Sequence, residues 1–194
     1  MLNPSLWVIG AEGDKGDDTM QTRTEKGGKN SEGPIGTGLV IERRFTTVGE
    51  DPFDQFDWIE MDVEIRNADG SLAHRIDDVR LPSGFSGVAG KVLAQKYLRK
   101  AGVPAILRKV KEKGVPTWLQ RSEPDHEKLQ SLDPEKRFIG ESHGRELFRR
   151  LAGTWTYWGW KHGYFEAEAD ARAYFDEMCY LIASQRSAPN SPQW

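Results

Sequence analysis

The chain has 194 residues, of which 37% are hydrophobic and 29% charged, and its net charge at pH 7 is −3. This length is enough for one domain with a hydrophobic core, whereas the small net charge excludes a global field favouring nucleic acid or an acidic membrane. The single cysteine, Cys179, excludes an internal disulfide and a multi-cysteine metal site. No apolar run reaches membrane-spanning length, and the apolar residues 6–10 are too few for a secretory signal. We therefore expect a cytoplasmic protein without a membrane partner.

Residues 1–38 are predicted to be a disordered extension. Glycine recurs among Asp, Lys, Glu and Thr in this stretch without periodicity, so ordering it would bury too little apolar surface to offset the lost entropy. The sequence GTG at 36–38 has too few glycines, and too little helix after it, for a phosphate-binding loop.

Residues 39–47, LVIERRFTT, predict a short strand, and the following DPFDQFDW predicts a turn-rich bridge anchored by its aromatic side chains. Asp51, Asp54 and Asp57 recur at every third position of this bridge. A calcium loop places its ligands at alternate positions and continues with Gly and Glu. We therefore interpret the three aspartates as turn and cap residues.

A β-hairpin is the clearest local pattern. Apolar residues at alternate positions from Ile59 to Ile65 face charged neighbours, which predicts a strand with one buried face. The Asp69-Gly70 pair predicts a turn with positive φ, and residues 72–81 predict the return strand, with a bulge at 77–78. His74 lies in this strand and has no second ligand at metal-binding spacing, so we expect a structural role.

Two helices are expected after the hairpin. Residues 86–102 predict an amphipathic helix that ends at Gly102, and Pro104 is expected to begin a second, short helix. The apolar side of the first helix is assigned to Val88, Val92, Leu93 and Tyr97.

Seven Lys or Arg residues and one Glu lie in the basic segment, residues 96–113. Such a segment can meet phosphates. It lacks interleaved aromatic residues for base stacking, so we predict a solvated face without a nucleic-acid partner.

Residues 114–138 are punctuated by proline and predict a loop region, with His126 exposed. Ser142 is the expected N-cap of a long helix, whose apolar residues recur at helical spacing: Leu147, Phe148, Leu151, Trp155 and Trp158. This helix runs into the aromatic block, residues 155–165, which holds six aromatic residues. Aromatic stripes at helical spacing are usually core, so we expect burial, with a docking surface as the alternative.

A last helix is predicted over residues 166–185. Its first turn is acidic, which suits the positive end of a helix dipole. Its apolar side carries Ala171, Tyr174, Phe175, Met178, Leu181 and Ile182. Cys179 lies at the edge of that side, and no His or Lys stands nearby in the sequence to activate it, so we expect a buried, inert thiol.

The residues alone give no catalytic constellation. No Ser/His/Asp arrangement, no paired carboxylates in a glycine-flanked context and no metal-ligand set stands out. The elements predict an α+β fold, in which a hairpin is followed by several amphipathic helices.

Six segments occur in order between Ile41 and Trp194: ERRFTTVGEDPFDQFDW, the hairpin, VLAQKYLRKAGVP, GTWTYWGWKHGYF, DARAYFDE and APNSPQW. Together they resemble the N-terminal region of the bacterial adenosylcobalamin-dependent, or class II, ribonucleotide reductases. The resemblance implies an N-terminal domain over residues 39–187. It also implies that residues 188–194 begin a ten-stranded α/β catalytic barrel, most of which the chain does not contain.

The resemblance further implies a radical reduction of ribonucleotides to deoxyribonucleotides for DNA synthesis. Adenosylcobalamin, bound by the barrel, generates a thiyl radical on a barrel cysteine, and a cysteine pair supplies the electrons. Cys179 matches no catalytic position of the family, so the chain alone is expected to be inactive. Its expected partners are the rest of the barrel, in cis or as a split subunit, and a thiol reductant such as thioredoxin.

The segment NSP of the family contacts the phosphate side of the substrate nucleotide. The resemblance therefore assigns substrate binding to Ser191, with Asn190 shaping the turn. Read without the family, Ser191 would be an ordinary serine of a terminal tail.

A non-enzymatic docking module is the alternative function. In this reading, the aromatic block and the basic segment form a surface for a protein or a nucleic acid. The nucleic-acid version predicts binding that weakens steeply with salt.

Overall fold

A long β-hairpin, several strands of two or three residues and two long helices build residues 38–191, the range that the computed structural model describes. The strands are β1 (Trp58–Arg66), β2 (Leu72–Pro82), β3 (Val103–Pro104), β4 (Leu107–Lys109), β5 (Ser122–Pro124) and β6 (Phe138–Ile139). The helices are α1 (Gly87–Lys96), α2 (His126–Gln130), α3 (Gly144–Lys161) and α4 (Glu168–Ala183), with 3₁₀ turns at Pro52–Gln55, Thr117–Leu119 and Pro134–Lys136. The α+β class is confirmed. The disorder expected for residues 1–38 lies outside the described residues except at Gly38, which is bonded to Glu166.

The predicted hairpin is confirmed with its register. Strands β1 and β2 are antiparallel, and Ile65 pairs with His74, which gives this histidine the structural role expected. Val63, Val79 and Leu81 are fully buried on the inner face. The alternation of apolar and charged residues therefore selects the buried face around Val63, but Ile59, predicted for the same face, is 38% exposed.

The turn and the bulge of the hairpin also lie where the sequence placed them. Gly70 has φ +84°, a conformation that costs glycine little. Met61 pairs with Val79 but Val63 pairs with Ile76, so the register shifts by one residue around Asp78, whose φ is +54°. This extra residue bends the ribbon over the helices.

The core lies between the inner face of the hairpin, α1, α3 and α4. Its fully buried large side chains come from the hairpin, α3, α4 and the 3₁₀ turn after Asp51: Phe53, Val63, Val79, Leu81, Leu147, Phe148, Cys179 and Ile182. Helix α1 adds the buried Leu93 and Ala94. Both predicted long helices, α3 and α4, are confirmed, although Trp158 of the apolar side predicted for α3 is exposed.

The predicted strand over residues 39–47 is wrong. Leu39 makes a single parallel bridge to Phe165, and the remaining residues have no partner strand in the described chain and bend at Arg44 and Phe45. Carboxylates of the α4 region take the place of a ladder: the Gly38 N–H donates to Glu166 at 2.8 Å and the Ile41 N–H to Asp170 at 2.9 Å. We call residues 38–46 the N-terminal strap, because they lie along α4.

Glu177 is the strongest attachment of the strap. Its Oε1 accepts hydrogen bonds from the N–H groups of Arg44, Phe45 and Thr46 at 3.0–3.1 Å and from the Thr46 hydroxyl at 2.7 Å. The side chain is buried, and an ionised acceptor of several N–H groups is stabilised in its charged form. Burial opposes ionisation, but the hydrogen bonds from Thr46 and the neighbouring amides outweigh it and lower the pKa of Glu177.

The aspartates before the hairpin have turn and cap roles, as expected. Asp51 accepts from the Phe53 N–H at 3.0 Å and so caps the first 3₁₀ turn, and its other oxygen bonds to Arg149 of α3. Asp54 pairs with Arg145 at 3.3 Å. These contacts fix the bridge onto α3.

Helix α1 is shorter and faces differently than predicted. It ends at Lys96, six residues before Gly102, and buries Gly90, Leu93 and Ala94. Val88 and Val92, predicted for the buried side, are 75% and 46% exposed.

Residues 103–104 and 107–109 form strands, so the helix predicted from Pro104 is wrong. Strand β3 pairs with β6 and β4 pairs with β5, all antiparallel. The partners come from 13 to 36 residues further along the chain, and such tertiary pairing overrides weak local propensity. The predicted loop region 114–138 accordingly contains β5, α2 and two 3₁₀ turns.

The N-cap of α3 is His143, one residue after the predicted Ser142. Its imidazole Nδ1 accepts from the Arg145 N–H at 3.1 Å, and Glu146 accepts from the His143 N–H at 3.3 Å, which completes a capping box. Burial, followed by the charges of Arg145 and Arg80, lowers the pKa of His143 to about 4. The neutral ring required for this cap is therefore the stable form at neutral pH.

Replacing Glu177 with Gln is expected to lower the free energy of unfolding by about 1–3 kcal/mol, because three amides lose a charged acceptor. Urea unfolding at pH 7 measures this change. Glu166→Gln is the matched control, since this exposed carboxylate accepts one strap amide and its loss should cost no more than about 0.5 kcal/mol. Equal unfolding midpoints for the two variants would show that Glu177 does not hold the strap.

The pH dependence of stability is expected to depend on His143. An unfolded histidine binds a proton near pH 6.5, whereas folded His143 does so only near 4. The free energy of unfolding should therefore be fully present above about pH 6.5 and fall as pH decreases from there towards 4.

His143→Asn keeps a good N-cap side chain and should flatten this dependence between pH 7 and pH 5 in urea titrations. His126→Asn, at the exposed start of α2, should leave the slope as in the parent chain. A slope that His143→Asn does not change would contradict the assignment.

Candidate functional site

The candidate site is the exit of the chain from α4, which leads to Asn190 and Ser191. Helix α4 ends at Ala183, and the following Gln185 adopts φ +59°, a left-handed conformation that reverses the chain. The N–H of Ser187 then donates back to the carbonyl of Leu181 at 3.1 Å. The backbone leaves the helix in a defined direction.

Two contacts with the rest of the domain anchor this exit. The Gln185 side-chain amide donates to the carbonyl of Gly84 at 2.8 Å, which ties the exit to the loop between β2 and α1. The Arg186 guanidinium lies 5.0 Å from the ring centre of Phe45, in the strap. Phe45 in turn stacks on Tyr180 of α4, with centroids 5.1 Å apart and planes at 5°.

Asn190 and Ser191, the predicted substrate-binding residues, are both exposed at the end of the described range. The structure brings them to the exit but surrounds them with few described residues. The anchoring residues Gln185, Arg186 and Phe45 were not singled out from the sequence. No residue type marks a non-glycine residue with positive φ, such as Gln185, in a sequence. The contact between Arg186 and Phe45 joins distant parts of the chain, so only the structure reveals these anchors.

Cys179 lies in the core and away from the surface. It is fully buried, and burial raises the pKa of its thiol well above the ordinary value. The expected inert thiol is confirmed, because a reactive cysteine needs both exposure and an accessible thiolate.

The predicted burial of the aromatic block is wrong, because four of its six aromatic side chains are half-buried and two are exposed. Trp155 packs partly against the core, whereas Trp158 and Tyr164 are 52% and 60% exposed. They line an open groove of about 640 Å³ near the start of α4, together with Leu39, Ile41, Trp155, Gly159, His162, Phe165 and Tyr174. We call it the aromatic groove.

The basic segment is a solvated face, as expected. Arg108 pairs with Glu123 at 2.6 Å, and Lys109 donates to the carbonyls of Trp118 and Gln120. The remaining lysines of the segment are exposed: Lys96, Lys100, Lys111 and Lys113.

Metal and membrane sites are not found in the range that the structure covers. Among residues 38–191, no group of three or more His, Cys, Asp or Glu side chains is arranged to hold a metal ion. No helix in this range is both long and apolar enough to cross a membrane.

Comparison with known proteins adds what the geometry alone does not give. The family model described as class II vitamin B12-dependent ribonucleotide reductase matches residues 60–185. A vitamin B12-dependent ribonucleotide reductase of Bradyrhizobium diazoefficiens is 52% identical over 156 residues, which is 80% of this chain and 12% of that protein.

Two further relatives have the same description. The protein of Agrobacterium fabrum is 51% identical over 156 residues, again 80% of this chain and 12% of the relative. That of Streptomyces avermitilis is 29% identical over 169 residues, 86% of this chain and 14% of the relative. The chain thus spans 12–14% of the length of these curated relatives.

Substitutions at Gln185 should separate two contributions to stability: the left-handed backbone of this residue and its side-chain hydrogen bond to Gly84. Gln185→Gly relieves a left-handed conformation that costs a non-glycine residue about 1 kcal/mol, but it loses the bond to Gly84. Gln185→Ala loses the same bond and keeps the strain, so it should be less stable than the Gly variant by about 1 kcal/mol. Urea unfolding tests this order, and equal stabilities would contradict a left-handed Gln185.

Proposed function

This chain belongs to the class II vitamin B12-dependent ribonucleotide reductase family, and we propose that it forms the N-terminal part of such an enzyme. The complete enzyme would reduce ribonucleotides to deoxyribonucleotides in the cytoplasm by a radical mechanism. The observation that carries this proposal is the identity of 52% over 156 residues to a relative of which these residues are only 12%. The matched residues 60–185 also span the fold from the hairpin to the end of α4.

The described residues do not fit a cobalamin site, so the adenosylcobalamin of our proposal is assigned to the remainder of the enzyme. Radical transfer from this cofactor requires a thiol that the cofactor can reach, and Cys179 is fully buried in the core. Within residues 38–191, no His, Cys, Asp or Glu cluster offers a metal-ligand set. The part played by this chain would be to position the polypeptide that follows it.

Ser191 would contact the phosphate side of the ribonucleotide, with Asn190 shaping the turn that presents its hydroxyl. Both are exposed beside an exit that Gln185 and Arg186 hold in place. A hydroxyl held by such a rigid support can donate to a phosphate oxygen without losing much side-chain entropy. The remainder of the barrel, in cis or as a split subunit, and a thiol reductant such as thioredoxin would complete the reaction.

A docking module remains the second candidate, because Trp158 and Tyr164 expose large apolar surface in the aromatic groove. Its nucleic-acid version requires binding through the basic segment. A gel-shift titration with single- and double-stranded DNA at low salt tests this binding, and the absence of a shift would exclude a nucleic-acid partner.

The complete reductase that contains this chain should form deoxyribonucleotides only when adenosylcobalamin and a dithiol are supplied. Ser191→Ala should lower kcat/KM for the ribonucleotide by about 10–100-fold, the value of one hydrogen bond to a charged group. The thermal melt of the protein should not change, because Ser191 is exposed.

Ser187→Ala is the matched control, because this serine lies in the same exit and only its backbone N–H holds the turn. It should retain the parent kcat/KM. No cobalamin-dependent product with a well-folded complete enzyme would refute the proposed function. Parent-like kinetics of Ser191→Ala would refute only the substrate contact.

A further inference from the structure

Helix α1 carries apolar side chains on two faces. Its inner face buries Gly90, Leu93 and Ala94 against the hairpin and the core. Its outer face exposes Val88 by 75% and Val92 by 46%. These two valines are four residues apart and form one stripe along the helix, where a helix with only one buried face normally presents polar residues.

The orientation of α1 cannot change to bury this stripe. Gly90 lies so close to the hairpin that a Cβ atom there would stand 2.9 Å from the Met61 sulfur and 3.1 Å from Leu81 Cδ1. This close packing fixes the rotation of α1 about its axis. Val88 and Val92 therefore remain outside in the fold of residues 38–191.

The stripe begins where the chain leaves α4. Gly84, whose carbonyl accepts the bond from Gln185, is three residues before the start of α1 and four before Val88. Arg186 of the exit also lies over Phe45 of the strap. The exit from α4 is thus bonded to the loop that leads into the stripe.

We propose that the polypeptide following this chain in the complete reductase packs on the outer face of α1, over Val88 and Val92. This inference rests on the proposed function, in which the chain continues into a much longer enzyme, as its relatives at 12% coverage do. The occupant is a segment shortly after the exit, because the exit residue Gln185 is bonded to Gly84, four residues before Val88. The partner surface would be aliphatic, since the stripe offers no charge or hydrogen-bond donor.

The aromatic groove requires a different occupant. It is lined by residues before α4 and by Tyr174 in the second turn of this helix, whereas the exit follows the last turn. The nine residues from Tyr174 to Ala183 span about 14 Å at 1.5 Å per residue. The aromatic groove therefore serves as a second labelling site, with which protection of the stripe on α1 is compared.

The test is thiol labelling of the complete reductase that carries Val88→Cys. The fully buried Cys179 contributes little background in this part of the protein, and peptide mass spectrometry reads the label at residue 88 separately from other cysteines. We expect labelling by a maleimide to be slower by about tenfold or more than in the isolated 194-residue chain with the same substitution.

Glu135→Cys, in an exposed 3₁₀ turn, is the matched control and should label at the same rate in both proteins. Equal labelling of residue 88 in the complete enzyme and in the isolated chain would overturn the proposal. Slow labelling of Trp158→Cys together with fast labelling of Val88→Cys would also overturn it, in favour of the aromatic groove.

The labelling does not depend on turnover, so it is independent of the proposed activity. Protection of residue 88 in an enzyme without cobalamin-dependent reduction would support the docking surface and count against the function. Normal cobalamin-dependent activity with an unprotected residue 88 would support the proposed function and refute the docking surface.

Discussion

The buried carboxylate of Glu177 connects the beginning of the described chain to its end. Because it accepts from three consecutive amides of the strap, residues 44–46 are fixed relative to α4. Phe45 is thereby held against Tyr180, and it in turn receives Arg186 beyond the end of the helix. The direction in which the chain leaves α4 thus depends on an acceptor more than two helical turns earlier. A strand ladder could not provide this, since α4 presents side chains and not free backbone groups.

The hairpin plays the corresponding role for the other two core helices. Both approach it through a glycine: a Cβ at Gly90 would meet Met61 at 2.9 Å, and one at Gly144 would meet Leu81 Cδ2 at 2.9 Å. Close approach through small residues leaves little freedom to slide or rotate. The hairpin therefore fixes α1 and the start of α3, and α3 carries the groove at its far end. These few close contacts therefore determine where the stripe of α1 and the aromatic groove lie.

The parts of the fold that could be predicted from sequence are those whose pattern is local. The hairpin needs only alternation and an Asp-Gly turn, and α3 and α4 need only helical periodicity. The strap at 38–46 was mistaken for a strand because its hydrogen-bond acceptors lie more than 120 residues away. Residues 103–110 were mistaken for a helix because strands of two or three residues have no period to detect. Within the candidate site, only Asn190 and Ser191 could be predicted, through the family resemblance. The residues that anchor the exit depend on tertiary contacts, which the sequence does not show.

The remaining disagreements share a physical cause. Val88, Val92 and Trp158 occupy positions that helical periodicity assigns to a core, yet the fold of residues 38–191 leaves them exposed. Periodicity reflects burial in the whole protein in which a sequence was selected, whereas the structure of one segment shows only the burial that this segment provides. For a chain that spans 12% of its relatives, these two kinds of burial need not coincide. The exposed stripe of α1, which the close packing at Gly90 prevents from turning inward, is therefore the surface on which we propose that the remainder of the enzyme packs.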